Sequence, residues 1–162
     1  MKIQPSPLEL VDLAIINFHY AANPSEVASG IQELFDAYEV DMDFAVRTAD
    51  DGLTRILVKA SINKPAEGTP KPGYMLFAET MGVFRFKDAS QVQAEKLQHL
   101  VNSGLTMTIS YLRTFIAGVT GHFPLGKYWI PSIDLNEMIR MKSEGKAADK
   151  TAVKTSRRKT KK

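Results

Sequence analysis

The sequence contains no cysteine, which excludes disulfide bonds, thiolate metal sites and a cysteine nucleophile. It also lacks an apolar run close to the roughly 18 residues that a membrane-spanning helix needs. The N-terminal residues do not resemble a secretory signal, because Pro5, Pro7, Glu9 and Asp12 interrupt them. A cytoplasmic protein is therefore the expectation.

The usual motifs of catalytic and metal sites are missing as well. His19, His99 and His122 are scattered without metal-ligand spacing, and there is no glycine-rich phosphate loop or nucleophile elbow. Asp41 and Asp43 share one face of a predicted strand, where two carboxylates could bind a cation or perform acid–base chemistry. The alternation around them favours an ordinary solvated strand face. The sequence predicts no enzymatic activity, no cofactor and no metal.

Charge is divided unevenly along the 162 residues. Residues 1–145 contain 13 basic and 17 acidic residues, a net charge of −4. Residues 146–162 contain eight basic residues and one acidic residue, Asp149, a net charge of +7. We therefore predict a folded domain over 1–145 and a disordered basic tail over 146–162. The cationic residues expected to act in the tail are Lys154, Arg157, Arg158, Lys159, Lys161 and Lys162.

Two roles are open for this tail. It could be a solubilising extension, or it could dock electrostatically on an anionic surface such as ribosomal RNA. Because the tail has no aromatic residue for base stacking, any contact with RNA would be made through phosphates and would be unspecific.

The segment from Leu105 to Thr120 organises the rest of the chain. At about 100° per residue, its larger apolar residues form one line along a helix: Leu105, Ile109, Leu112, Ile116 and Val119. A strand is the competing prediction, because the first six residues alternate with period two. Length favours the helix, which Gly121 and Pro124 would end. Its poorer face is small and almost uncharged, which predicts that a second subunit covers it through Thr106, Ser110, Arg113, Thr114 and Ala117.

The remaining elements are mostly strands, followed by helices. We predict strands over 11–21 (with a bulge), Glu39–Arg47, Leu53–Asn63 and Tyr74–Phe86, the middle two joined by a turn at Ala49–Gly52. Helices are predicted from Ser25, over about Gln91–Val101, and after Pro131, with Asn102–Gly104 as a break before the Leu105 helix. This order predicts an α+β fold with an antiparallel sheet and helices on one face.

Aromatic and apolar residues are concentrated beyond the long helix. Phe123, Tyr128, Trp129 and Ile130 occupy a segment that prolines and a glycine interrupt. Each aromatic side chain can bury about 150–250 Å². The domain's own sheet, a neighbouring subunit or a ligand could cover them.

Three blocks of the sequence form a recognisable pattern: Glu39–Phe44, Met81–Phe84 and Tyr111–Leu135. Taken in this order, they resemble the SecB protein-export chaperones. Glu39–Phe44 is similar to the family's second strand, and Met81–Phe84 to the end of its fourth strand. The third block runs from Tyr111-Leu-Arg113 through Phe123-Pro124 to Pro131-Ser-Ile-Asp-Leu135. It is similar to the family's Tyr-x-Arg helix, Phe-Pro loop and entry to the last helix. The order of the blocks matches over residues 39–142.

The resemblance implies a four-stranded antiparallel sheet with two main helices packed on one face, assembled as a tetramer of two dimers. Family members are ATP-independent holdases that bind unfolded polypeptides in apolar grooves of the homo-oligomer and can pass them to the SecA motor. Together with the aromatic segment, this predicts a client-binding groove lined or bordered by Phe44, Phe123, Tyr128, Trp129 and Ile130.

The chain departs from the family at three places, one of which is a tighter loop between Thr120 and Phe123. Residues 25–38 include a helix that the family pattern does not require. The family usually ends in an acidic or polar tail that helps engage SecA, whereas this chain ends in basic residues. Engagement of SecA and service to a single antitoxin client therefore both stay open, and a ribosome- or nucleic-acid-binding protein acting through the tail is the alternative function.

Overall fold

The computed structural model describes residues 6–23, 30–65, 68–87 and 97–144. The predicted basic tail, the Ser25 helix cap and most of the helix predicted over Gln91–Val101 lie outside these residues. The chain divides into two compact units, Met1–Ile130 and Pro131–Lys162.

The first unit contains a four-stranded antiparallel sheet with the strand order β1-β4-β3-β2. Its strands are β1 (Leu8–Asn23), β2 (Val40–Thr48), β3 (Leu53–Ile62) and β4 (Gly73–Phe86). A short helix, α1 (Ile31–Asp36), follows β1, and a long helix, α2 (Thr106–Thr120), follows β4. The α+β fold with an antiparallel sheet, predicted from the sequence, is confirmed.

The β2–β3 hairpin forms as its alternating pattern predicts. Ala49 accepts a hydrogen bond from the Gly52 N–H at 3.1 Å, and Gly52 has a φ of 74°, a conformation that favours glycine. On β3 the predicted inward residues are all buried: Ile56, Val58, Ala60 and Ile62. Because β3 and β4 lie in the middle of the sheet, their inward faces form the centre of the core.

Strand β1 has two irregularities rather than the single phase change predicted. The register shifts between Leu10 and Asp12 and again between Ile15 and Asn17. The skipped residues, Val11 and Ile16, are about half exposed, whereas the sequence pattern predicted that both point inward. A bulge leaves its extra residue outside the pairing, and the alternation restarts after it.

The predicted break at Asn102–Gly104 is wrong. Residues 97–120 are helical without interruption, and the π-helical stretch Leu100–Leu105 includes the three residues that were expected to break the helix. A side chain at Gly104 would place its Cβ 2.8 Å from Ile56 Cδ1. The glycine therefore allows the helix to approach β3 closely, and the wider π turn accommodates it.

Helix α2 packs on the sheet against β4, β3 and β1. Its inward face carries Ile109, Leu112 and Ile116, which are almost completely buried, as predicted. The competing strand prediction for its first half is wrong. In the described residues, helix α1 begins after Gly30, with Leu34 and Phe35 buried.

The second unit contains a helix over residues 135–144, which we call α3. Asp134 caps this helix, since its Oδ1 accepts a hydrogen bond from the Glu137 N–H at 3.1 Å. Arg140 forms ion pairs with Glu137 and Glu144 along the exposed helix surface.

Candidate functional site

The segment that follows α2 turns back and runs antiparallel to the helix. The Tyr128 N–H donates a hydrogen bond to Thr120 Oγ1 at 2.9 Å, and the same hydroxyl donates to the Ile116 carbonyl at 2.7 Å. Two residues further along the segment, the Ile130 carbonyl accepts a hydrogen bond from Arg113 Nε at 3.1 Å. Two hydrogen bonds therefore hold residues 127–130 beside α2, and we call these residues the tethered segment.

Side chains of the tethered segment alternate between core and solvent, as in a strand. Tyr128 and Ile130 are buried, which removes them from the groove lining predicted for them. Trp129 is 58% exposed, and Lys127 is exposed on the same side with its Nζ 5.5 Å from the centre of the indole ring. The predicted set therefore splits, because two members anchor the segment and Trp129 faces outward.

An aromatic cluster anchors the tethered segment from below. The Tyr128 ring contacts Phe35 and Tyr38, with ring centroids at 5.3 and 5.6 Å. Phe35 also packs on Tyr74 at 5.6 Å. Helix α1 supplies Phe35, so the helix that the family pattern does not require contributes directly to the packing beneath the segment.

The cluster continues to the surface through Tyr20 and Phe123. These two rings lie 4.0 Å apart between centroids, and Phe123 also meets Tyr74 at 5.9 Å. Tyr20 remains 37% exposed and Phe123 is half-buried. Phe123 is thus at the border of the surface.

Hydroxyl groups of the cluster fix the loops around it. Tyr38 accepts a hydrogen bond from the Tyr74 N–H and donates to the Pro72 carbonyl, both at 2.9 Å. Tyr74 accepts from the Leu125 N–H at 2.8 Å and donates to the Gly126 carbonyl at 3.0 Å. Because Leu125 and Gly126 directly precede the tethered segment, Tyr74 sets where that segment starts.

Burial changes the acid–base behaviour of these phenols. It raises the pKa of Tyr128 to about 12, and the neighbouring Tyr38 adds to this increase. The pKa values of Tyr38 and Tyr74 are also raised by burial, and hydrogen bonds from backbone N–H groups partly offset that effect. All three groups are therefore neutral near pH 7, so the cluster acts as a packed apolar support.

The outer face of α2 carries small and apolar residues, and Arg113 is the one charged residue within Thr106–Thr120. Thr106, Ser110 and Thr114 are exposed there in the single chain. A shallow cleft of about 340 Å³ runs along the last turns, lined by Tyr111, Thr114, Phe115, Gly118, Val119 and His122. This lining is mainly apolar, and it lies on the helix to which the tethered segment is bound.

Two other predicted interface residues lie elsewhere. Ala117 is 1% exposed and belongs to the core of this chain, so a second subunit cannot reach it. Arg113 is half-buried and directs its Nε to the Ile130 carbonyl. It positions the tethered segment, a role that the sequence pattern did not reveal.

Phe44 lies apart from the other predicted groove residues. It is half-buried on the outer strand β2, opposite Val58 in the sheet register, and it lines a separate cleft of about 190 Å³. Asp43, next to it, pairs with Lys59 at 3.8 Å. Neither carboxylate of the Asp41–Asp43 pair belongs to a metal-binding cluster, and the described ranges contain no group of side chains that could hold a metal ion.

Sequence reasoning missed Phe35, Tyr38 and Tyr74 as parts of the site. Their positions in α1, in the turn after it and at the start of β4 are far apart in the sequence. The sequence signals this cluster through its composition alone, since four of the five tyrosines belong to it.

Comparisons with known proteins give a match in structure. No protein-family model and no curated protein matches the chain in sequence. The structure is similar to the Mycobacterium tuberculosis SecB-like chaperone Rv1957, solved in complex with a ChAD peptide from the Rv1956 HigA1 antitoxin. The TM-score is 0.58 at 10% identity, over 78% of this chain and 90% of that one. The chain therefore has a SecB-like fold, as its sequence blocks predicted.

A second solved structure matches more weakly. It is a protein of unknown function from Streptococcus agalactiae, with a TM-score of 0.39 and 9% identity over 78% of this chain and 97% of that one. As a separate observation, none of the helices in the described ranges is sufficiently long and apolar to span a membrane.

Proposed function

We propose that this protein is an ATP-independent holdase chaperone that binds unfolded polypeptide segments. The observation that supports the proposal most is the outward-facing Trp129, which two hydrogen bonds of the neighbouring residues to α2 hold in place on a SecB-like fold. The structurally similar Rv1957 is described as a SecB-like chaperone and was solved with a peptide bound.

The energetics of the exposed indole favour a ligand. A tryptophan side chain buries about 150–250 Å² when it is covered, and each Å² contributes about 25 cal/mol. Covering the exposed part of Trp129 would therefore contribute on the order of 3 kcal/mol before entropic costs. An unfolded chain offers apolar side chains that can supply this cover at many positions, which is the property that a holdase uses.

The acting form is proposed to be a homo-oligomer, a tetramer built from two dimers. Two surfaces support this: the nearly uncharged outer face of α2 and the outer strand β1, where Val11 and Ile16 are exposed. Outer strands that expose apolar residues are normally protected by pairing or covering. Placing a carboxylate on the α2 face with Thr114→Glu should dissociate the assembly, because an unpaired buried charge is costly. A wild-type protein that sediments as a monomer at micromolar concentration would contradict this proposal.

The client set is proposed to include either secretory preproteins or one dedicated partner. The peptide bound to Rv1957 comes from an antitoxin, so an antitoxin-derived peptide is a sensible first ligand to test. Transfer of clients to SecA belongs to the export alternative within the same proposal.

The test of the holdase function is suppression of aggregation. A denatured client is diluted into buffer, and light scattering is followed with the full chain in molar excess, with and without ATP. We expect equal suppression in both conditions. Undiminished scattering at a molar excess of the protein would overturn the proposed function.

A further inference from the structure

The backbone of the tethered segment is hydrogen-bonded on one side only. In an extended chain, the N–H and C=O groups of one residue point to one side, and those of the next residue point to the other. The Tyr128 N–H and the Ile130 C=O both point to α2, where Thr120 and Arg113 bind them. The N–H and C=O of Trp129 must therefore point away from the helix.

That second side is open in the part of the chain that the structure describes. Neither the N–H nor the C=O of Trp129 forms a hydrogen bond there, and the same is true of Lys127. The two residues are spaced like alternate residues of an outer strand, with both side chains on the exposed face. A strand edge of this kind can pair with an added strand.

We propose that a client segment binds as a short β-strand added to the free edge of residues 127–129, exchanging two backbone hydrogen bonds with Trp129. This inference rests on the proposed holdase function and specifies how the client is held. Backbone pairing is independent of client sequence, while the indole covers an apolar client side chain opposite it. The occupant is thus an extended stretch of unfolded polypeptide.

Charge beside the indole defines the preferred client further. Lys127 lies on the same exposed face as Trp129, with its ammonium group 5.5 Å from the ring centre. In an added strand, the residue opposite Lys127 is two positions from the residue opposite Trp129, and opposite charges at such a cross-strand pair are favourable. The preferred segment therefore has an apolar residue with an acidic residue two positions away.

Amide hydrogen exchange tests the added strand directly. The probe is a short synthetic peptide in which leucine and threonine alternate. One leucine, two positions from the central leucine, is replaced by aspartate. In the free full-length protein, the Trp129 N–H should exchange quickly and the Tyr128 N–H slowly, because Thr120 already binds the latter. Saturating peptide should slow exchange at Trp129 by about tenfold or more and leave Tyr128 unchanged. Fast exchange at Trp129 under saturation would overturn the proposal.

Peptide variants separate this proposal from the holdase function itself. Single N-methylation along the peptide should weaken binding by about fivefold or more at alternate positions and have little effect at the positions between them. Lys127→Gln should remove the preference for the aspartate peptide over its asparagine counterpart. If the peptide binds and aggregation is suppressed, but N-methylation has the same effect everywhere, the strand addition is wrong and the holdase function stands. If the protein neither binds peptide nor suppresses aggregation, both proposals fail.

Discussion

Strand β3 and the tethered segment share one side-chain pattern, but they differ in whether their backbone N–H and C=O groups are hydrogen-bonded on both sides. Both alternate buried and solvent-facing residues. β3 pairs with β2 on one edge and with β4 on the other, so its hydrogen-bonding groups are used on both sides. Residues 127–130 have α2 on one side and a free edge on the other. The comparison shows that alternation identifies the inward residues of an extended chain but not the edge that remains available for binding.

Loss of a β3 core residue should have the largest effect on stability. Ile56 is 0% exposed and packs under Gly104, so Ile56→Ala leaves a cavity beneath the π-helical stretch. We expect the free energy of unfolding to fall by about 2–5 kcal/mol, measured by urea denaturation. A decrease below about 1 kcal/mol would show that β3 is no more critical to the fold than the tethered segment.

The second largest effect is expected at alkaline pH, where ionisation of Tyr128 should destabilise the packing that holds the tethered segment. Tyr128 has a pKa of about 12 in the folded protein and about 10 when unfolded, so the unfolded state loses its proton first as pH rises. Its contribution to stability is complete below pH 10 and decreases up to pH 12, by about 2–3 kcal/mol in total. The raised pKa values of Tyr38 and Tyr74 act in the same direction.

Tyr128→Phe provides the matched control for this pH dependence. The substitution removes the titrating group and keeps the ring against Phe35 and Tyr38. Urea midpoints of the variant should fall less steeply between pH 9 and pH 11.5 than those of the wild type. Identical slopes would mean that Tyr128 does not titrate differently in the two states.

Removal of the exposed indole should have the smallest effect on stability and a clear effect on binding. Trp129→Ala is expected to change the free energy of unfolding by less than about 1 kcal/mol, because the side chain is 58% exposed. It should nevertheless weaken aggregation suppression. Val46→Ala on β2, which is 38% exposed, is the control and should leave suppression unchanged. An unfolded Trp129→Ala protein would instead place Trp129 among the core residues.

Much of the fold could be predicted because local pattern and tertiary structure agree there. The alternation in Leu53–Asn63 identified the buried side of β3. The apolar line through Ile109, Leu112 and Ile116 identified the inward side of α2, although Val119 on the same line is only half-buried. In these elements the position of a residue in the repeat determines whether it faces the core, so periodicity is sufficient to predict the buried side.

The errors arose where the deciding contacts are distant in sequence. The Asn102–Gly104 stretch has the composition of a break, but close packing of Gly104 on Ile56 keeps it helical. Composition groups Tyr128 and Ile130 with Trp129. The hydrogen bonds from the Tyr128 N–H to Thr120 and from Arg113 to the Ile130 carbonyl determine which of them face inward. A free backbone edge has no compositional signal at all.

The fluorescence emission of Trp129, the single tryptophan of the chain, reports whether a bound client covers the indole. The full-length protein is titrated with an unfolded client that lacks tryptophan, under the conditions in which it suppresses aggregation of that client. We predict a saturable blue shift of the emission, because the client covers the indole and excludes water from it. Full suppression of aggregation with no change in Trp129 emission would show that clients bind elsewhere, and would contradict this account.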